Sequence, residues 1–179
     1  MKKPNNFILI VQAILTVLGA ITSVIMFKNS LSSSNILTIL TGVIYVAVYV
    51  IVFVYAFFKY KNDDKYFKLS LYGYAALLGI EILYSGKMIE GFGLGENVTL
   101  IVNIINLICF ANVVKFIDIL DQRKKAIIYF SISIGLKFLV ELCLIAKMIN
   151  FVQLIHILTA LSVPILGVTL LVAYLHRFD

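Results

Sequence analysis

The 179 residues are 62% hydrophobic and only 13% charged, and the mean hydropathy is +1.05. Soluble domains average about 45–50% apolar and about 25% charged residues, so the composition excludes an ordinary soluble domain and points to a membrane protein. The net charge of +6 does not indicate a nucleic-acid binder, because the basic residues sit in short loops between apolar runs rather than along one face.

A helix needs roughly 20 residues to cross the hydrocarbon core, and the chain offers six apolar segments near that length. They cover residues 7–27, 36–58, 69–89, 98–120, 126–148 and 151–175. Backbone groups in lipid must be satisfied within the segment, so continuous runs of this length predict helices rather than barrel strands. The expected fold is therefore all-α: a single bundle of six transmembrane helices. The start Met1-Lys2-Lys3 superficially fits a signal peptide, but the apolar run is long and FKNSLSS after it lacks a small-x-small cleavage pattern, so the first helix is expected to stay.

Lys and Arg positions set the orientation. Lys2, Lys3, Lys59, Lys61, Lys65, Lys68, Arg123, Lys124, Lys125 and Arg177 fall on one side, against only Lys28, Lys87 and Lys147 on the other. Both termini are expected in the cytoplasm. Lys115 lies close enough to the cytoplasmic end to snorkel there, beside Asp118. The basic cluster Lys59, Lys61, Lys65 and Lys68 next to Tyr60 and Tyr66 sets topology and faces the lipid bilayer as its partner, with Asp63 and Asp64 diluting its field.

A weak internal similarity runs through the chain with a period near 60. GIEILYSGKMI at 79–89 and LVELCLIAKMI at 139–149 share Glu, Lys, Met and Ile at the same offsets, which places Glu81 and Glu141 at equivalent depth. NILTILTGV from Asn35 echoes HILTALSVP from His156, and Gly19 corresponds to Gly79. Three tandem hairpins inserted in the same sense would produce such a pattern, and so would the abundance of Ile and Leu. The small-x-x-x-small pairs Gly19 with Ser23, Ala75 with Gly79, and Ser131 with Gly135 predict close contacts among the odd-numbered helices. Pro164 predicts a bend in the sixth segment.

The chemistry concentrates in helices three to five. Lys137 and Glu141 interrupt the run 126–148 and lie four apart, so they share a helix face. A charge near the bilayer centre costs roughly 2.5–3.5 kcal/mol on insertion scales, so such a residue faces a bundle interior and finds a partner. With Glu81, Asn103 and Asn106, these residues are the candidate solute- or proton-binding set: two carboxylates, one ammonium and two amides. Fully ionised, the set is negative and suits a cation or a polar solute with an amine. Two carboxylates in a low-dielectric setting compete for the charged state, so proton linkage is natural there. The plainer alternative is that Lys137 neutralises Glu81 or Glu141, the asparagines join helices, and nothing binds.

Other positions carry less. Cys109 and Cys143 lack CxxC or metal spacing, His156 and His176 lack a companion, and GFGLG at 91–95 has no strand-turn-helix context for a phosphate, so no metal or cofactor is expected. Asn97-Val-Thr99 matches a glycosylation sequon on the external side, in a small loop close to the membrane. There is no GxSxG, no paired Ser and His and no acidic metal cluster, which argues against an enzyme. Tyr45 and Tyr49, four apart and deep in helix two, need partners for their hydroxyls, from a helix contact or from a cavity. Two functions remain. One is binding or transport of a small polar or cationic solute; the other is a non-transporting interaction protein, an accessory subunit or immunity factor that docks another membrane protein through a helix face.

Overall fold

The computed structural model describes residues 6–57, 64–88, 95–147 and 160–176. Among them the chain is helical, with no strand. The helices are α1 (Asn6–Leu31), α2 (Ile36–Phe57), α3 (Asp64–Met88), α4 (Gly95–Phe116), α5 (Arg123–Lys147) and α6 (Ser162–His176), with a 3-10 turn at Leu120–Gln122. Outside the described residues lie 91–94 of the glycine-rich loop, His156, Lys2, Lys3, Lys59, Tyr60, Lys61, Asp63 and Arg177, as well as the side chains of Asp64, Lys87, Asn97, Cys143, Lys147 and His176.

Helix ends depart from the edges of the apolar runs for a simple reason: hydropathy marks the oily stretch, while a helix stops where its backbone is capped. α1 runs through Lys28 and Ser30 and closes with the Ser33 amide donating to the Ser30 carbonyl at 3.1 Å. Asn35 then caps α2, its Oδ1 accepting from the Leu37 amide at 3.0 Å. α3 begins at Asp64, before the apolar run, because Lys65 and Lys68 are sound helix formers. α4 ends at Phe116, short of the expected 120, and the Gln122 amide bonds the Ile119 carbonyl at 2.9 Å to start the next turn.

Two of these helices are long and apolar enough to span a membrane, Ile10–Leu31 and Val98–Phe116; Ile36–Val52 and Ser162–Leu175 are shorter apolar stretches. The chain forms two compact units, Met1–Tyr74 with Leu161–Asp179, and Ala75–Ala160. In the first, α1 packs against α2 and α6, and α2 also meets α6. α3 joins this unit by side chains, with Gly73 against Val48 and the Phe67 ring stacked on Tyr174 at 6.2 Å. In the second, α4 lies along α5, and Phe110 meets Phe130 edge to face at 5.5 Å. At one end of that pair Lys115 and Lys125 sit 5.5 and 5.8 Å from the centroid of the Phe116 ring, which stacks on Tyr129.

Beside an apolar core, large hydrocarbon side chains are exposed and several polar ones are buried. Ile10, Ile14, Val17, Ile21 and Val24 are exposed on α1 and Val98, Ile101, Ile105 and Ile108 on α4, while Gln12, Thr22, Asn103, Asn106, Ser133 and Lys137 are buried. The hydroxyls of Thr16, Ser30, Thr41, Ser70 and Thr169 each donate to a carbonyl three or four residues back, so their own helix satisfies them.

The glycines divide. A Cβ at Gly19 would overlap the Tyr49 ring, whereas at Gly79 and Gly135 it would meet nothing. Among the described residues nothing approaches Gly79 or Gly135, whereas Gly19 makes room for a ring of α2. A small residue signals an accessible backbone, but not what approaches it. Gly19 and Gly79 therefore differ in what the described residues place against them.

Candidate functional site

α5 supplies the spine of the candidate site. Ser133, Lys137 and Glu141 recur every four residues, so they form one stripe along the helix, and all three are buried. Their exposed counterparts on α5 are Ile128, Ile132, Leu139 and Leu142, which cover the opposite surface with hydrocarbon.

Two neighbouring helices answer this stripe. Glu81 on α3 places Oε2 2.6 Å from the Lys137 ammonium, and Glu141 places Oε1 at 2.6 Å from the same nitrogen. The side chain of Lys137 is 3% exposed, that of Glu81 19% and that of Glu141 10%. From α4, Asn106 accepts a short hydrogen bond at Oδ1 from the Ser133 hydroxyl, and both residues are buried. Asn103, one turn earlier on α4, is buried as well. The sequence-predicted set thus separates into a triad, Glu81–Lys137–Glu141, and an amide station on α4 that reaches α5 through Ser133. Ser133 was not among the expected residues. Its signal was positional: a hydroxyl one turn before a buried lysine.

Formal charges on the triad sum to minus one, since one ammonium faces two carboxylates. Of the two carboxylates, Glu81 is the more exposed. No cluster of three or more His, Cys, Asp or Glu suited to a metal occurs among the described residues.

A second buried polar group lies in the other unit. The Tyr49 hydroxyl donates to the Leu15 and Thr16 carbonyls, both at 2.6 Å. Tyr45 donates to the Ser162 carbonyl at 3.0 Å and pairs with the Thr22 hydroxyl at 3.0 Å. The two rings stack at 6.3 Å. These bonds tie α2 to α1 and α6, so the tyrosines serve helix contacts. A cavity of about 390 Å³ beside them is lined by Ala20, Ser23, Val24, Phe27, Val46 and Val50, together with Tyr49. Its lining is nearly all apolar, which suits hydrocarbon and not a charged solute.

No family model matches the chain, and neither the curated proteins nor the solved structures contain a match to it. The site is therefore read from its own chemistry.

Proposed function

We propose that this chain is an integral membrane protein of six transmembrane helices, with both termini in the cytoplasm, that binds or transports a small polar or cationic solute in a proton-linked manner. Five described helices of 22 to 26 residues are about 33–39 Å long, more than the roughly 30 Å hydrocarbon core. Apolar side chains outside and polar ones inside suit lipid surroundings.

One observation carries the functional part: two carboxylates from different helices meet a single buried ammonium, in a group whose three formal charges sum to minus one. Net charge of this kind inside a membrane bundle is costly to keep and is a default marker of an ion or solute path. Glu81 and Glu141 are the proton or cation acceptors, Lys137 is their balancing charge, and Asn103 and Asn106 orient the solute. The test is pH-dependent binding or uptake by the purified chain in proteoliposomes. Glu81→Gln and Glu141→Gln should each abolish it while the protein still inserts; full activity in both variants would defeat the assignment.

The burial of Lys137 also favours a second reading, in which the triad only staples α3 to α5 and the chain docks another membrane protein. That reading expects a stable companion through mild-detergent purification, unaffected by Glu81→Gln.

A further inference from the structure

Away from the triad, the α4–α5 pair ends in a turn rich in positive charge. Residues 115–125 hold Lys115, Arg123, Lys124 and Lys125 against Asp118 and Asp121, and Asp118 and Arg123 are already engaged. Lys115 and Lys125 come from different helices and gather on one ring, their ammoniums 5.5 and 5.8 Å from the Phe116 centroid. Both side chains are exposed, and neither ammonium meets a carboxylate among the described residues. Phe116 is itself steadied by Tyr129, which stacks on it at 5.9 Å.

Local preferences do not account for this cluster. The start of a helix is its positive end, where acidic residues are stabilising, yet α5 opens on Arg123, Lys124 and Lys125 with no acid in its first turn. Two ammoniums on one ring also repel each other. An anion beside them relieves both conflicts, and a lysine, a point charge on a flexible four-carbon stem, turns readily toward a phosphate. The neighbouring side chains select which anion. Ile119 and Leu120 are exposed in the turn, and Ile128 is exposed on α5, four residues beyond Lys124 and so on the same helix face. Large hydrocarbon side chains beside ammoniums suit an amphiphile, with a phosphate head and an apolar tail, better than a hydrated free anion.

We propose that Lys115 and Lys125, gathered on Phe116, bind the phosphate of an anionic phospholipid. Lys124 adds to the positive field, Ile128 runs beside an acyl chain, and Ile119 and Leu120 sit in the membrane interface. This rests on the reading of the chain as a six-helix membrane protein, which puts the turn at the cytoplasmic leaflet, where anionic lipids give a negative surface potential.

The experiment titrates the full chain in uncharged detergent with phosphatidylglycerol and with phosphatidylcholine of the same acyl chains, and native mass spectrometry gives the dissociation constant of the first bound lipid. Phosphatidylglycerol should bind about thirtyfold more tightly, about fivefold for each lysine. Lys115→Gln and Lys125→Gln should each lose about fivefold of that preference, and the double variant nearly all of it. Lys2→Gln with Lys3→Gln, an equal loss of charge, should leave it in place. Should the double variant fail to insert, the two single variants carry the test. Equal binding of the two lipids would overturn the proposal. So would a loss in the Lys2 and Lys3 control as large as in the double variant, because the attraction would then be diffuse. Displacement of phosphatidylglycerol by glycerol phosphate at equal concentration would make the occupant a soluble anion and overturn the lipid. Micelles have no inside, so this result is separate from the topology: labelling of the turn from outside the cell would overturn the leaflet assignment and leave the headgroup site standing.

Discussion

Replacing Lys137 by methionine tests the triad most directly. The substitution keeps the length of the side chain and removes the ammonium, which stands 2.6 Å from both carboxylates. Deleting one partner of a buried ion pair costs about 3–5 kcal/mol, because the remaining charge is stranded. Here one deletion strands two carboxylates. Glu81 is the more open and relaxes outward, so the loss stays in that range instead of doubling. At about 2–4 °C per kcal/mol for a chain of this size, the thermal midpoint in detergent or bicelles should fall by roughly 6–20 °C. The control is the triple variant Lys137→Met, Glu81→Gln, Glu141→Gln, which removes every charge with little change in shape. Such neutral replacements are often tolerated or are stabilising by about 1–4 kcal/mol, so the triple variant should recover most of the loss. A single variant within about 1 kcal/mol of wild type, or a triple variant as weak as the single, would refute the argument that the three groups form one charge-balanced unit.

Two further outcomes are expected. Gly19→Ala should destabilise by about 1–3 kcal/mol, since its Cβ displaces the Tyr49 ring, while Gly135→Ala, whose Cβ would meet none of the described residues, should be neutral or gain up to about 1 kcal/mol of helix propensity; equal midpoints for the two variants would contradict the packing described. In a cysteine-free background, Ser32→Cys should react with a membrane-impermeant maleimide on intact cells and Lys124→Cys should not, both positions being exposed; the reverse labelling would invert the proposed topology.

The charged members of the site were legible in the sequence because hydrocarbon makes them conspicuous. Lys137 and Glu141 interrupt an apolar run at helical spacing, and Glu81 was linked to them by its place in the 60-residue echo; all three converge on one nitrogen. Ser133 was not legible, because serine is ordinary in apolar helices and only the fold shows that Asn106 lies opposite it. The two tyrosines were flagged for needing partners, yet their acceptors are carbonyls of Leu15, Thr16 and Ser162, and backbone atoms carry no sequence signal. Helix boundaries shifted where hydropathy and capping disagree, as at Asn35 and Phe116. Glycine spacing reveals a gap in the side-chain layer without revealing what fills it: at Gly19 it is the Tyr49 ring of α2.

The one-sided build of α5 limits how that helix can move. Ionic and polar groups occupy one flank and Ile128, Ile132, Leu139 and Leu142 the other, so turning the rod about its long axis would carry a lysine and a glutamate to the apolar surface and turn four hydrocarbon side chains inward against carboxylates. The roll of α5 is therefore held fixed by its own chemistry, and the Lys137 contact with Glu81 of α3 opposes a lengthwise slide as well.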